Sequence, residues 1–198
     1  LAANLSGPSL RVLTTSSGCN LAYCSIRNLG FNVSTWHSVD TDSTCRAVTD
    51  QIIPSDQLLH LCPHDSNKVL PCVKKNVYDL HISTPNCQPW SRLQTEPLGF
   101  NDSRSATMVS EANISREIRS RNPAAFFICE NVVPHQDLQD DVTRMEAMWG
   151  SSFVQINASD WGSRSSRPRN FCTNIVDIAT IPCVPRSSLQ PSLLASDG

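Results

Sequence analysis

The chain has little charge of either sign. Asp, Glu, Lys and Arg make up 17% of its 198 residues, and the formal net charge is −2. So even a balance gives no chain-wide electrostatic footprint for nucleic acid, so binding of that kind has to come from a local basic patch. Long apolar runs are also missing. Nothing approaches the length of about 18 residues that a membrane span requires, and no secretory leader pattern is present, so neither is expected. No internal repeat is evident. The nine cysteines are numerous, but the patterns that give cysteines a metal are absent: there is no Cys-x-x-Cys pair and no His at zinc-finger spacing. Their odd number and irregular spacing speak against a disulfide framework, and several fall inside predicted strands and helices, where thiols act as small apolar side chains. A reducing, intracellular setting is expected. The contrary sign is five Asn-x-Ser/Thr sequons, beginning at Asn4, Asn32, Asn101, Asn113 and Asn157. With Ser and Thr this plentiful, roughly three arise by chance.

What is present is an alternation of strand-like and helix-like stretches. The length suits one domain with a sizeable core. Residues 1–9 contain Gly7-Pro8 and read as a linker, residues 10–180 as the core, and residues 181–198 as a Ser- and Pro-rich tail. Leu10–Thr15 is β-prone, Ser16–Asn20 is turn chemistry, and Leu21–Leu29 reads as a helix stopped by Gly30. A strand, a glycine-bearing turn and a helix in succession open a nucleotide-type α/β fold, in which the turn faces a ligand. A second strand covers residues 31–39. Asp40 follows, at the distance where such folds hold ribose hydroxyls; Asp42 is its rival, and an N-cap acid for the helix from about Thr44 to Ile52 is the competing reading. Residues 57–62 form a third strand, before a loop with Pro63, His64 and Asp65. Residues 67–75 are ambiguous.

Tyr78–Ser83 reads as the fourth strand. It runs into Thr84-Pro85-Asn86-Cys87-Gln88-Pro89-Trp90-Ser91-Arg92, where two prolines bar helix and strand alike. Cys87 is therefore a thiol on a constrained loop at a strand's end, the place where an open α/β sheet carries its reactive groups. The alternative is an inert buried thiol. A helix from about Arg104 to Arg121 has a poor apolar stripe: either it is largely exposed or its limits lie elsewhere. Residues 124–129 are continuously apolar and read as a central parallel strand covered on both faces, ended by Glu130, Asn131 and Val132. Residues 137–149 are a clear helix, with Leu138, Val142, Met145 and Trp149 on one face, Asp137 able to cap it and Gly150 ending it. Residues 152–157 form a strand, 160–169 a basic loop with Arg164, Arg167 and Arg169, and 170–176 a further strand.

The class is α/β with a mainly parallel sheet, Rossmann-like, with helices on both faces. A Cys loop, an acid and an arginine pair sit at strand ends in that order. This order, from about Arg11 to Asn174, resembles the cytosine-C5 methyltransferase family, whose members act on DNA or, in one branch, tRNA. Thr15–Asn20 stands at the family's Phe-x-Gly-x-Gly cofactor turn and Tyr78–Arg92 at its catalytic loop. Residues 99–105 resemble its Gly…Asp-x-Arg-Ser segment, Phe126–Val132 its Glu-Asn-Val motif, and Arg167-Pro168-Arg169 its Gln-x-Arg-x-Arg motif. Several positions depart from the family pattern: Ser16 and Asn20 in the turn, Val39 ungapped at the ribose position, Asn86 before the cysteine, Ser165 in place of Gln, and Pro63-His64-Asp65 for a Gly-Asp pair.

The resemblance implies S-adenosylmethionine as cofactor, bound by Ser17, Gly18, Cys19, Asn20, Asp40, Asp65 and Pro85. It implies Cys87 as the nucleophile that adds to carbon 6 of cytosine, Glu130 as the group that holds or protonates ring N3, and Arg167 and Arg169 on the base carbonyl and a phosphate. Asn86, Gln88, Ser91, Asn131 and Val132 would line the substrate, with no metal involved. DNA is the expected partner before tRNA, the location nuclear in a eukaryote, and target recognition is expected from a second chain or a region not seen in this sequence. The competing expectation is a catalytically inactive, methyltransferase-like scaffold or regulatory subunit.

Overall fold

A computed structural model describes residues 9–161 and 163–175 of the chain. The linker expected at 1–8, the tail from 181, Val176 and Gly162 lie outside the described residues; the last strand, expected over 170–176, instead covers Pro168–Thr173 and gives way to a bend at Asn174 and Ile175. Ser9, assigned to the linker, belongs to the first strand, where it pairs with Asn32.

Among the described residues, seven strands form one sheet. The strands are β1 (Ser9–Thr15), β2 (Asn32–Val39), β3 (Leu58–His60), β4 (Leu80–Ser83), β5 (Phe126–Val132), β6 (Val154–Asn157) and β7 (Pro168–Thr173), in the order β3-β2-β1-β4-β5-β7-β6. The pairs from β3 to β5 are parallel. β7 enters antiparallel between β5 and β6. The order reverses between β1 and β4, so a crevice opens at their carboxyl ends, the usual ligand position in such sheets.

Helices cover the two faces. α1 (Ala22–Asn28) and the end of α2 (Ser43–Ile52) pack over Val12, Val33, Trp36 and Leu80. α3 (Leu70–Val73), α4 (Ala106–Arg121) and α5 (Gln139–Trp149) cover Leu13, Val39, Phe127 and Cys129. The pleat explains the division, because successive residues of each strand point to opposite faces.

Several expectations need correction. α4 is not a largely exposed helix: Met108, Glu111, Ala112, Ile114, Ser115 and Ile118 are buried. Its stripe reads poorly because Glu111 and Ser115 sit on the inward face. β5 is fully covered on one side only, its other face being half-buried through Ile128. Its burial alternates, with Phe127, Cys129 and Asn131 inside and Phe126 45% exposed. It also runs on through Glu130 to Val132, because β7 supplies a ladder there, pairing Glu130 with Phe171 and Val132 with Arg169. Asp137 does not cap α5. A 3-10 turn at Gln136–Leu138 precedes the helix, and His135 accepts the amide of Asp137. Gly150, at φ 71°, ends α5 as expected. The eight described cysteines are free thiols. No described helix is long and apolar enough to cross a membrane.

Candidate functional site

Three adjoining cavities form a cleft along the carboxyl ends of the strands. The largest, about 380 Å³, lies between the turn after β1 and the β4–β5 edge and is lined by Ser17, Gly18, Cys19 and Asn20 together with Thr84, Glu130 and Arg167. A second, of about 230 Å³, carries Asp40 and Asp65 with His64, Asn86 and Thr107. A third, of about 210 Å³, brings together Pro85, Asn86, Cys87, Glu130, Val132, Arg167 and Arg169. Thr84 lines all three, and Ser16 lines the first two. A cleft of this combined size is in the range of small-molecule sites.

The turn after β1 is held from inside. Ser16, Gly18 and Asn20 all have left-handed backbone, with φ of 49°, 52° and 54°. Gly18 takes this conformation without penalty and has open space where a Cβ would stand. Asn20 tolerates it because a short amide can bond locally. Its side chain is buried and turned into the core. Its carbonyl oxygen accepts from Thr14 Oγ1 at 2.7 Å and Trp36 Nε1 at 2.9 Å, and its amide donates to Ser17, Ser38 and Thr49. Asp40 closes the turn from the end of β2. One of its oxygens accepts from the Gly18 amide at 2.7 Å, the other from the Asp42 amide at 2.8 Å. Asp42 is the N-cap of α2, accepting from Thr44 and Cys45, while Asp40 braces the turn after β1.

The loop after β4 is anchored beyond its cysteine. Trp90 is fully buried, and its indole donates to Asp141 at 3.0 Å. The Phe100 amide donates to the same carboxylate oxygen at 2.9 Å. The backbone of residue 99 approaches so closely that a Cβ there would lie 1.8 Å from it, which only glycine avoids. Pro85 is tied from the next strand: the buried Asn131 amide donates to its carbonyl at 3.1 Å. Thr84 Oγ1 donates to the Ser16 carbonyl at 2.5 Å, joining the two loops where the strand order reverses. Between these anchors Cys87 is exposed, at the start of a 3-10 turn over Gln88–Trp90.

Glu130 projects from β5 into two of the cavities. Arg169 Nε, on β7, pairs with its Oε1 at 2.9 Å. Burial raises the pKa of this carboxyl, and Arg169 and Arg167 oppose the rise. Cys87, Glu130 and the two arginines thus share one cavity, though 43 residues separate the cysteine from the acid in sequence. A thiol, a carboxyl group and two fixed cations can add to an electron-poor ring, hand it a proton and hold its oxygen.

Gln88, Ser91 and Asn131, expected on the substrate, stand outside the three linings. Gln88 Oε1 accepts from Arg104 at 2.5 Å, Ser91 Oγ accepts from the Leu93 amide, and Asn131 holds Pro85. Each bonds to the protein and shapes the loop from behind. Sequence reasoning passed over Thr84, Thr107 and Ser16 as lining groups. It also missed Glu111, for which the signal is a charged residue on the sheet-facing side of α4. Among the described residues, no three His, Cys, Asp or Glu side chains gather as a metal site.

No family model and no curated protein matches the chain. Solved structures do. The methyltransferase EhMeth of Entamoeba histolytica superposes with a TM-score of 0.68 at 13% identity, over 91% of this chain and 57% of that one. The S. pombe Dnmt2 methyltransferase gives 0.60 at 16% identity, over 84% and 49%. A SAM-dependent methyltransferase of Leishmania major gives 0.55 at 10% identity, over 87% and 67%. The chain spans about half the length of the first two. At these identities the likeness is one of fold: this chain has the Rossmann-like fold of known methyltransferases.

Proposed function

We propose that the chain is the catalytic core of an S-adenosylmethionine-dependent methyltransferase acting on carbon 5 of cytosine in nucleic acid, DNA before tRNA, with target recognition supplied from outside the described residues. One observation carries the reading: Cys87, Glu130, Arg167 and Arg169 meet in a single cavity that opens, past Thr84, onto the glycine turn.

The residues present fit the cofactor. Each oxygen of Asp40 accepts one amide, which leaves a lone pair on each for a ribose diol. Gly18 leaves open space along the turn, and Asp65 lies in the same cavity as Asp40. When bound, the cofactor supplies an electrophilic methyl group on a sulfonium.

The chain's own residues do the rest. The Cys87 thiolate forms a bond to carbon 6 of the flipped-out base, and the ring electrons move to carbon 5, which becomes the nucleophile. Glu130 donates a proton, or a hydrogen bond, to ring N3 as negative charge builds there. Its burial keeps the carboxyl protonated to higher pH than usual. Arg169 fixes the orientation of Glu130 and, with Arg167, offers donors to the base carbonyl or a phosphate. Once carbon 5 is substituted, its proton passes to solvent and the bond between carbon 6 and Cys87 breaks, restoring the ring double bond and the thiolate.

The test is an oligonucleotide carrying 5-fluorocytosine, incubated with the chain and S-adenosylmethionine. Fluorine blocks the final proton loss, so a covalent band on a denaturing gel is expected. No band with either DNA or RNA, with or without added partner chains, defeats the proposal.

A specific observation favours a second reading. The Gly18 amide is already bonded to Asp40 and the Asn20 amide to the core, so the turn is satisfied without a ligand, as an inactive scaffold would be. That reading expects no S-adenosylmethionine binding by calorimetry, and micromolar binding removes it.

A further inference from the structure

Glu111 belongs to no motif, and the proposed chemistry does not use it. It is fully buried on the sheet-facing side of α4. One carboxylate oxygen accepts from Ser16 Oγ at 2.5 Å and the other from Ser83 Oγ at 2.5 Å. A carboxyl group in the interior is costly unless its lone pairs are filled, and hydrogen bonds to a charged acceptor are the stronger kind. Burial raises its pKa, and the hydroxyls of Ser16, Ser83, Ser66 and Thr15 oppose the rise.

The two serines differ in where they stand. Ser83 closes β4 and lines none of the three cavities. Ser16 opens the turn after β1 and lines two of them. Its φ of 49° is unfavourable for a residue with a Cβ and persists only where the surroundings enforce it. The enforcement is visible. The Ser16 side chain is held by Glu111 and its carbonyl by Thr84 Oγ1. Without the first contact, nothing fixes the hydroxyl at the wall between the two cavities.

We propose that Glu111 is a positioning residue for the methyl donor: through Ser16 it pins the left-handed start of the turn and so sets the shape of the wall shared by the two cavities. The inference rests on the methyltransferase reading above and adds to it a group that never touches the cofactor.

Calorimetric titration of S-adenosylhomocysteine tests it on the wild-type chain and on S16A, S83A, E111A, E111Q and the S16A/E111A double variant, with urea unfolding of each. S16A and E111A are expected to weaken binding about tenfold, the loss of one well-made hydrogen bond. The double variant is expected to bind no worse than the weaker single one. E111Q, which keeps an acceptor for Ser16, recovers most of the affinity. S83A loses stability comparable to S16A yet binds as wild type does. Three results overturn the proposal: wild-type affinity in S16A, equal losses in S16A and S83A, or additive losses in the double variant. If E111A does not fold, the contrast between S16A and S83A decides alone. A wild-type chain that binds no S-adenosylhomocysteine is a different outcome, because it defeats the methyltransferase reading and this inference with it.

Discussion

Asn20 and Cys87 each follow a parallel strand, and each stands on a loop that lines the cleft. Asn20 is buried and gives its whole side chain to the protein, bonding five partners. Cys87 is exposed, and the bonds that hold its loop are made by Trp90, Asn131 and Thr84 instead. The turn half of the cleft is thus kept in shape by the very residues that form its wall. In the catalytic half the two overlap only in part: Thr84 and Pro85 line the cavity and take anchoring bonds, but Trp90 and Asn131 hold the loop from outside the lining, and the Cys87 thiol is not among the anchors. A substitution in the first half therefore damages fold and site together, whereas in the second half the two can be separated.

The largest effect that tests this contrast is Cys87→Ala. Trapping of the fluorinated base is expected to vanish entirely, while urea unfolding moves by less than about 0.5 kcal/mol, as at an exposed position. A large loss of stability would show that the catalytic half is built like the turn. Next comes Asn20→Ala. It strands the buried Trp36 indole and takes one of two partners from the Thr14 and Thr49 hydroxyls, so a loss of about 3 kcal/mol is expected in urea unfolding, together with weaker cofactor binding. A well-folded variant would mean that the inward bonds are incidental.

The smallest effect concerns the floor beneath both halves, where His81 is fully buried, bonded to Thr15 and stacked on Trp149. Burial lowers its pKa to about 3 from an ordinary 6.5. Below pH 6.5 the unfolded chain takes up a proton that the folded chain refuses. The stability His81 allows is thus whole above pH 6.5 and falls as the pH drops toward 3. One pH unit below the ordinary value the loss is about 1 kcal/mol. His81→Leu should flatten that acid limb in unfolding curves taken between pH 7 and 5; an unchanged limb would assign it to other groups.

The alternation of strands and helices, the strand-end position of Cys87 and an N-cap acid ahead of the second helix were legible because each depends on local pattern. What was not legible depends on partners distant in sequence. The strand at 126–132 reads as ending near Cys129, since Glu130 and Asn131 are polar, and only the ladder from β7 extends it. The helix at 106–121 reads as exposed because Glu111 and Ser115 interrupt its stripe, and only the serines on β4 and the β1 turn explain a carboxylate inside. Gln88 and Ser91 sit close to Cys87 in sequence, yet adjacency in a loop fixes no direction, and both bond back to the protein.

The reversed direction of β7 has a consequence for remodelling the chain. The parallel strands bring to the cleft their last residues and those that follow, whereas β7 brings its first residues and those that precede it, which is why Arg167 and Arg169 stand at its beginning. A peptide grafted between Asn157 and Pro168 would emerge on the side of the cavity that holds Cys87 and Glu130, without disturbing the parallel strands. The same graft placed after Thr173 would leave from the opposite rim of the sheet. Where an inserted segment meets the cleft is thus a matter of which side of one strand receives it.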